Sequence, residues 1–420
     1  MSDLLYVVAH DWHLLIPVGV VGALSWSIWL IRKVLSSRYR PTVNDYRTTT
    51  SVIVPSFRED PEVLERCLDT WLAQDPTEVI VVLDVEDHEA YRRLVAREDR
   101  RLTVLSFAHE GKRSALGVGI REATGEVLVL CDSDTNWRPG LLAAVQMPFV
   151  DPQVGAVGTR QNVHLPESSI WRRVADWIID LRYLDYVPAT GRAGAVVCVS
   201  GRTAAYRRSV VLPVLENLEH EFFLGRRCVA GDDGRLTWLV LASGYKTVHQ
   251  DTARAMSMFP STFRAFCKQR VRWSRNSYRC YLTAAWKGWL WHVPLVSQIT
   301  VLQILFTPVT MFAAVYYVAV AGRSGEGWWG FGLAAAWLFV GRAIRSFSHL
   351  RRRPSDLLIL PLVTLVIAMV ALPLKTYALV TMNKQGWLTR RADLTGGEGQ
   401  AEASLTASPA GAPATSVAPA

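Results

Sequence analysis

Short β-branched runs alternate with longer stretches of helical periodicity between about Thr48 and Arg254, and this alternation limits the fold more than any other feature. SVIVPSF precedes EVLERCLDTWLAQ, EVIVVLD precedes HEAYRRLVARE, and RLTVLSF precedes GKRSALGVGIREATG and then EVLVLCDSD. This order indicates an α/β domain with a mostly parallel sheet, because parallel neighbours need a crossover between them. Ligands bind such sheets at the carboxyl ends of the strands. The polar residues directly after each predicted strand are therefore the candidates for a functional site.

A long apolar run precedes this domain. It extends over His13–Ile31, about the length that spans a bilayer. Arg32 and Lys33 follow it directly and place that end in the cytoplasm, because cytoplasmic flanks carry an excess of basic residues. The chain also has 16 tryptophans, a residue that prefers the membrane–water interface. A membrane-bound protein is therefore expected.

Beyond Phe259 the chain becomes basic and then apolar. Residues 264–279 have helical periodicity with one basic face, which predicts an amphipathic helix at the membrane surface. The face consists of Arg264, Lys268, Arg272, Arg275 and Arg279. Three apolar runs follow, namely Val293–Ala321, Trp328–Val340 and Leu357–Met382, the last of which contains Pro361 and Pro373.

These patterns divide the chain into six segments. We predict an N-terminal transmembrane segment (1–40), a cytoplasmic α/β domain (41–255), amphipathic interfacial helices (256–291), transmembrane segments (292–384), a short segment after the last apolar run (385–392) and a disordered tail (393–420). The tail is rich in Ala, Gly, Ser, Thr and Pro and has too little apolar surface to bury.

Charge and cysteine usage exclude some classes of function. The formal net charge is +9, which in a soluble protein suggests nucleic acid but in a membrane protein reflects cytoplasmic loops beside anionic headgroups. A lipid bilayer, and no nucleic acid, is therefore the expected partner. The six cysteines are scattered without a CxxC pair, which is typical of reduced cytosolic thiols.

Two pairs of carboxylates are candidates for chemistry. Asp132 and Asp134 follow an apolar strand, where they could hold a hard cation against a diphosphate, or form a turn. Lys112 lies about twenty residues earlier and is a candidate phosphate contact. Asp232 and Asp233 lie before a helical pattern, so they are either helix caps or the general base for an acceptor hydroxyl.

The basic helix and the end of the last apolar run carry two further motifs. Gln269-Arg270-Val271-Arg272-Trp273 combines cations for a pyrophosphate with an aromatic face for a sugar ring, although a membrane-surface helix also explains the arginines. Trp387 and Arg390 follow the last apolar run, where such residues are ordinary interface anchors.

In their order, these motifs resemble the family 2 processive glycosyltransferases, over most of the chain from Ser51 to about Arg390. Hyaluronan synthases are the nearest match, and cellulose and chitin synthases are more distant. The stretches that carry the resemblance are VPSFREDPEVLERCL, GKR, DSDT, CVSGRTAAYRR, FLGRR, GDDGRLT, QRVRW and LKTYALVTMNKQGWLTR.

The resemblance implies a GT-A-type glycosyltransferase domain, with a mostly parallel sheet, joined to interfacial and transmembrane helices. It implies Mg²⁺ or Mn²⁺ at Asp132 and Asp134, and Asp233 as the base, with Asp232 as the next candidate. The implied donor contacts are Asp84, Lys112, Asp132, Asp134, Gln269, Arg270, Arg272, and Trp387 and Arg390 in a segment that closes over UDP. The implied acceptor contacts are Ser200, Gly201 and Trp273.

Three positions depart from the family's pattern. The family has a DDGS-like turn whose aspartate meets uridine, whereas this chain has Asp84 as the equivalent and Asp87 as an alternative. Arg58 replaces the usual asparagine after the first strand, and Arg202 stands where hyaluronan synthases tend to have a proline near the acceptor.

The resemblance implies a multi-pass enzyme of the cell membrane with a cytoplasmic catalytic domain. It would invert the donor linkage, polymerise UDP-sugars processively and extrude the polysaccharide without requiring an export partner. The hyaluronan-like version uses UDP-GlcNAc and UDP-GlcA. The alternatives are a chitin- or cellulose-like homopolymer synthase, a non-processive transferase acting on a lipid acceptor, and a transporter or receptor without catalysis.

The topology of the last apolar run follows from the same resemblance. Trp387 and Arg390 must lie in the cytoplasm to reach UDP, so Leu357–Met382 is not expected to be a simple crossing. Pro361 and Pro373 predict a broken, re-entrant or steeply bent segment, because proline interrupts the helical hydrogen bonds.

Overall fold

An eight-stranded mixed sheet forms the centre of the protein in the computed structural model, which describes residues 19–321 and 327–386. The strands are β1 (Thr50–Ser56), β2 (Glu78–Asp84), β3 (Leu102–Phe107), β4 (Val127–Cys131), β5 (Thr135–Trp137), β6 (Val154–Val163), β7 (Thr203–Arg207) and β10 (Lys246–Ser257), while β8 (Phe222–Phe223) and β9 (Arg226–Arg227) form a separate hairpin. Their order in the sheet is β3-β2-β1-β4-β7-β6-β10-β5.

The first four strands are parallel neighbours, as the alternating pattern predicts. β1 pairs with β2 and β4, and β2 pairs with β3, all in parallel register. Every residue of β1 and β4 is buried, because helices cover both faces of the sheet and the apolar runs have no solvent side. Their carboxyl ends therefore meet at one edge.

The second half of the sheet is mixed. β7 pairs antiparallel with both β4 and β6, whereas β6 and β10 are parallel. A register shift between Gln250 and Arg254 bends β10 toward the short strand β5, which pairs with it antiparallel.

The helices of the α/β domain alternate with the strands. They are α2 (Pro61–Leu72), α3 (His88–Val95), α4 (Lys112–Glu122), α5 (Leu141–Gln146), α6 (Ile170–Leu181), α7 (Val187–Arg192), α8 (Arg208–Val211), α9 (Leu215–Glu219) and α10 (Asp232–Ala242). A π-helical turn, Arg182–Tyr186, joins α6 to α7.

Two large apolar clusters lie on opposite faces of the sheet. One contains Leu64, Leu68 and Trp71 of α2, and the other contains Leu116 and Ile120 of α4. Burial on both faces holds the sheet between its helices, because each large apolar side chain that is fully buried stabilises the folded state by about 1.5–3 kcal/mol.

The remaining helices are mostly apolar and precede or follow the α/β domain. They are α1 (Gly19–Ser37), α11 (Phe263–Trp286), α12 (Leu295–Leu305), α13 (Thr307–Ala321), α14 (Gly327–Arg345), α15 (Phe347–Leu350), α16 (Leu360–Leu365) and α17 (Ala371–Val380). α1 begins inside the predicted run His13–Ile31, whose first residues lie outside the described part.

Basic residues at the end of α1 attach it to other elements. The Lys33 ammonium contacts Asp185 at 2.6 Å in the π-helical turn, and the Arg32 guanidinium donates to Thr300 and Gln303 of α12. These contacts bind the first apolar helix both to the α/β domain and to the later apolar helices.

Within the described residues, one helix, Pro354–Val380, is long and apolar enough to cross a membrane. A second candidate is the pair Leu295–Leu305 and Thr307–Ala313, which meet at a 60° bend. Multiple crossings, as the sequence predicts, remain a prediction.

The predicted break in Leu357–Met382 was wrong. Pro361 lies in the first turn of α16, where its missing N–H loses no helical bond. Pro373 lies just after a π-helical turn, Val366–Val370, and the helix continues through it. The strongly bent apolar segment is instead the one that joins α12 and α13.

Residues at the start of this long helix and just after its end contact the α/β domain. At its start, Asp356 accepts a hydrogen bond from Arg173 Nε of α6 at 3.1 Å. After its end, the amide of Val229 donates to Gln385 Oε1 at 3.3 Å, and Gln385 Nε2 donates to the Arg227 carbonyl at 3.2 Å. The chain therefore returns to the α/β domain after its last apolar helix.

Candidate active site

A cavity of about 860 Å³ lies at the carboxyl ends of β1 and β4 and extends to α11, α12 and α17. Most residues that the sequence singled out line it. They are Lys112, Asp132, Asp134, Ser200, Gly201, Asp232, Asp233, Gln269, Arg270, Arg272 and Trp273. Trp387 and Arg390 lie outside the described residues, but Gly386, directly before them, lines the cavity.

Asp84 lies at the end of β2 with its side chain fully buried. Its Oδ2 is 2.6 Å from His109 Nδ1, and the His109 ring packs on Phe57 with 4.2 Å between centroids. The alternative, Asp87, accepts hydrogen bonds from the backbone amide of Arg58 instead. His109 was not singled out from the sequence, although its position directly after β3 follows the same strand-end rule.

Lys112 joins the two predicted pairs of carboxylates. Its ammonium donates to Asp132 Oδ1 at 2.8 Å and to Asp232 Oδ2 at 3.1 Å. Burial alone would lower the pKa of Lys112, but the two carboxylates prevail and hold it above its ordinary value. The lysine therefore remains a cation at the first turn of α4, where α4 begins after Gly111 at a φ of +98°.

Asp134 and Glu59 lie at the same end of the cavity. Asp134 accepts a weak hydrogen bond from Thr135 Oγ1 at 3.4 Å, and Ser133 Oγ is 3.4 Å from Glu59 Oε2. The donor set here consists of carboxylate oxygens, which is the set that Mg²⁺ and Mn²⁺ prefer. Asp132 and Asp134 thus fit the predicted cation, with Lys112 already bound to one of them.

Asp233 is the carboxylate nearest the loop before β7. Its Oδ2 accepts from the Gly201 amide at 3.3 Å, and its Oδ1 accepts from the Gly234 amide at 2.8 Å. Burial and the charge of Asp232 raise the pKa of Asp233, while Lys112 opposes them. The helix cap itself is Gly231, at a φ of +76°, so neither aspartate acts as the N-cap side chain.

Gly201 is a glycine because of what surrounds it. A Cβ atom there would lie 3.2 Å from Cβ of Asp233 and 3.3 Å from Oδ2 of Asp232. These approaches are tighter than an ordinary side-chain contact. The missing side chain therefore lets the backbone amide reach the Asp233 carboxylate.

One end of α11 closes the cavity opposite these carboxylates. Gln269 is almost fully buried, and its Oε1 has no hydrogen-bond partner within the described residues, like Nε of Arg272. The Trp273 ring meets Phe259 edge-on at 6.1 Å between centroids. These side chains thus leave polar groups and one aromatic ring for a ligand.

Arg202, which the sequence marked only as a departure, occupies the middle of the cavity. Its guanidinium lies 4.1 Å above the Phe259 ring and 5.6 Å from the Trp273 ring. Burial lowers the pKa of Arg202, and Asp134 and Asp132 oppose that shift. It therefore connects the carboxylate end of the cavity to the aromatic end.

The sequence predicts that the whole basic face of α11 lies at the membrane surface. In the structure, part of that face is directed at other residues of the protein instead. Arg279 is buried and donates to the Met382 carbonyl, and Arg275 Nε donates to Thr381 Oγ1 at 3.1 Å. The Met382 carbonyl follows the end of α17, where carbonyls lack helical N–H partners, so it can accept from the buried cation of Arg279. Arg264, by contrast, is exposed.

A separate cluster of titratable groups lies where α6 meets α15. Ligand atoms of Asp176, Asp180 and His349 lie within 4.8 Å of one another. Arg160 and Arg352 bind Asp180 at 3.2 and 2.9 Å, and the His349 ring contacts both Asp180 and a carboxylate at the start of the long apolar helix. The arrangement is an ion-pair network that joins two parts of the chain.

Comparison with known proteins adds a family and a fold. A family model described as "Glycosyltransferase like family 2" matches residues 47–276. An N-acetylglucosaminyltransferase of Sinorhizobium fredii is 29% identical over 354 residues, which cover 81% of this chain and 84% of that protein. Another, of Bradyrhizobium diazoefficiens, is 30% identical over 354 residues, with 81% and 71% covered.

Among solved structures, the mannosyltransferase PcManGT from Pyrobaculum calidifontis, in complex with GDP-Man and Mn²⁺, superposes with a TM-score of 0.57. The two are 23% identical, and the superposition covers 83% of this chain and 96% of that one. The predicted GT-A-type α/β fold is confirmed.

Proposed function

Because the chain belongs to the glycosyltransferase-like family 2, we propose that it transfers N-acetylglucosamine from UDP-N-acetylglucosamine to the end of a growing glycan at the cytoplasmic face of a membrane. The observation that carries the proposal is one cavity that brings together the Lys112 ion pairs, Asp233 and the Trp273 end of α11. These are the parts that a sugar transfer from a nucleotide diphosphate needs.

The donor lies along the carboxyl ends of β1, β2 and β4 in this proposal. The uracil ring occupies the side of Asp84, while the diphosphate lies by Lys112 and Arg272. Each of these cations can form charge-assisted hydrogen bonds with phosphate oxygens. Mg²⁺ or Mn²⁺ at Asp134 and Asp132 would neutralise part of the charge on the leaving UDP.

The transfer itself is a single displacement. The acceptor hydroxyl oxygen attacks the anomeric carbon, the bond between that carbon and the β-phosphate oxygen breaks, and UDP leaves. Asp233 accepts the hydroxyl proton, and its raised pKa makes it a better base than an ordinary aspartate. Attack from the side opposite the diphosphate inverts the configuration at the anomeric carbon.

The acceptor lies against Trp273 with its reacting end near Ser200 and Gly201. From there the cavity continues to Gln303 of α12 and Lys375 of α17. A path from the base to the apolar helices suits an enzyme that extrudes its product as it elongates it. The contacts of Gln385 with β9 support a cytoplasmic position for Trp387 and Arg390.

The names of the relatives favour one product over another. They are N-acetylglucosaminyltransferases, which supports UDP-N-acetylglucosamine as the donor and the chitin-like alternative. A hyaluronan-like product would additionally need UDP-glucuronate, and the names of the relatives give that product less support.

Release of UDP from single donors and donor pairs tests the proposal. The purified full chain is supplied with UDP-N-acetylglucosamine, UDP-glucuronate or UDP-glucose, alone and in pairs. We expect UDP-N-acetylglucosamine alone to support sustained release. Release that needs both UDP-N-acetylglucosamine and UDP-glucuronate would favour the hyaluronan-like product, and release from UDP-glucose alone would overturn the proposed donor.

A further inference from the structure

Cations without acidic partners line the side of the cavity that faces the apolar helices. Among the described lining residues, the acids follow β1 and β4 or open α10; they are Glu59, Asp132, Asp134, Asp232 and Asp233. Lining cations that form no ion pair within the described residues include Arg270 of α11, Arg342 of α14, Lys375 of α17 and Arg182 of the π-helical turn. Three of these four cations come from helices outside the α/β domain, so the cavity is basic where it meets those helices, whereas its acids come from the strand ends and α10, where the donor is proposed to bind.

Arg270 is the clearest of these cations. Its guanidinium is held between the Phe266 and Trp273 rings, 4.9 Å from each centroid. Nε and Nη2 are buried and have no hydrogen-bond partner within the described residues. Burial and the like charges of Arg202 and Arg182 lower the pKa of Arg270 to about 9, so it remains a cation at neutral pH.

The position of Arg270 separates it from the carboxylate end. Arg202 and Arg270 both lie against the Trp273 ring, 5.6 and 4.9 Å from its centroid. Asp134 and Asp132 act on the charge of Arg202, whereas the charged groups that act on Arg270 are Arg202 and Arg182. Lys375 of α17 lies 6.0 Å from the centroid of Tyr278, about two turns further along α11. The arginine thus points toward the path proposed for the acceptor.

A guanidinium with buried, unpartnered N–H groups is costly unless a ligand compensates it, when its charged neighbours among the described residues are cations. The planar guanidinium matches the two oxygens of a carboxylate or phosphate, and the flanking rings hold it in place for that contact. Trp273, which packs on Arg270, is also the proposed sugar contact of the acceptor. An anion that satisfies Arg270 therefore belongs to the molecule that lies on Trp273.

We propose that Arg270, together with Arg182 and Lys375, binds an anionic group of the acceptor, a carboxylate or a phosphate, on the membrane side of the reacting hydroxyl. This inference rests on the proposed function in taking a glycan as the occupant of the cavity. A chain of N-acetylglucosamine alone is neutral. The phosphate that carries the first sugar of the glycan agrees with the proposed donor, whereas a uronate unit within the glycan would additionally require UDP-glucuronate.

Binding of three probes to the detergent-purified full chain, without any donor, tests this. The probes are a neutral N-acetylglucosamine tetrasaccharide, a tetrasaccharide that alternates glucuronate with N-acetylglucosamine, and N-acetylglucosaminyl diphosphate on a short-chain lipid. We expect one anionic probe to bind at least about tenfold more tightly than the neutral one, the range of a charge-assisted contact. The probe that binds more tightly identifies the source of the charge.

Two variants of α11 make the test specific. Arg270→Gln should reduce the preference for the anionic probe about tenfold. Arg270→Lys keeps the charge but loses the paired N–H donors of the planar guanidinium, so it should retain part of the preference. Arg264→Gln is the matched control on the exposed face of the same helix and should keep the full preference. Thermal unfolding checks that each variant is folded.

Equal binding of all three probes to the unmodified chain would overturn the proposal, as would an unchanged preference in Arg270→Gln. A loss of UDP affinity in Arg270→Gln, with the acceptor preference intact, would return Arg270 to the donor contacts predicted from the sequence. Because no donor sugar is present, failure of N-acetylglucosamine transfer overturns the proposed function and leaves this binding result to be judged separately.

Discussion

At the residue scale, burial and neighbouring charges set the protonation of the groups that the proposed reaction uses. Lys112 remains charged because Asp132 and Asp232 outweigh its burial, and Asp233 becomes more basic because burial and Asp232 outweigh Lys112. The same few atoms thus produce a fixed cation for phosphate and a carboxylate suited to accept a proton.

Asp233→Asn should abolish most of the transfer while UDP still binds. The amide keeps the size of the side chain but cannot accept the acceptor proton, and loss of a general base costs about 10²- to 10⁴-fold in rate. UDP release and UDP binding are measured on the same preparation, with Glu216→Gln of α9 as the control. Near-normal turnover in the Asn variant would transfer the role of base to Asp232.

The transfer rate should fall at acidic pH as Asp233 becomes protonated. Since its pKa is raised, kcat/KM should fall at a higher pH than an ordinary aspartate would cause, with full activity above the raised pKa and loss below it. Asp232→Asn removes a charge that raises this pKa, so its acidic limb should move to lower pH. An acidic limb at the same pH in both proteins would contradict the assignment.

At the element scale, periodicity predicted α11 but not the partners of its faces. The spacing of its arginines fits a membrane-surface helix, yet Arg275 donates to the Thr381 hydroxyl and Arg279 to the Met382 carbonyl, just after the last apolar helix. The order of residues within one helix carries no information on the free carbonyls of another helix a hundred residues away. The break predicted at Pro361 and Pro373 was wrong for a related reason. Pro361 lies in the first turn of α16, and Pro373 follows a π-helical turn, so the helix accommodates both.

His349 is the contact that joins α15 to the α/β domain. Its ring is fully buried, with Nδ1 3.0 Å from Asp180 and Nε2 2.8 Å from Asp356. His349→Ala should lower the free energy of unfolding by about 3 kcal/mol, because it leaves buried carboxylates facing a cavity. Thermal unfolding in detergent measures this, with the exposed His88→Ala as the control. Equal stability of the two variants would show that the arginines of this network suffice.

At the scale of the whole molecule, the sequence predicted the parallel half of the sheet and most of the cavity. Each of those strands is a local apolar run, and the strand-end rule places Asp84, Asp132 and Asp134 without knowledge of the rest. The antiparallel insertion of β7 depends on long-range pairing, so the role of Arg202 at its start was not predictable. The role proposed for Arg270 was not predictable either, because the neighbouring cations Arg182, Arg202 and Lys375 come from three distant parts of the chain.

The contacts of Gln385 with β9 predict that the end of the last apolar helix lies in the cytoplasm. Lys384→Cys, at an exposed position, should react with a membrane-impermeant thiol reagent only after the cells are permeabilised. Ser324→Cys, between the apolar runs Val293–Ala321 and Trp328–Val340, is the positive control, because it should be labelled from outside if these two runs cross the membrane as a pair. Labelling of Lys384→Cys in intact cells would place Trp387 and Arg390 outside and remove them from the proposed donor site.

The most direct test of the central claim is the product that the purified full chain makes from UDP-N-acetylglucosamine as its donor, analysed by mass spectrometry. The account predicts a ladder of products whose neighbours differ by one N-acetylglucosamine residue, with UDP released in proportion and no ladder from Asp233→Asn. A product with a single added sugar would contradict elongation, and a ladder that persists in Asp233→Asn would contradict the site.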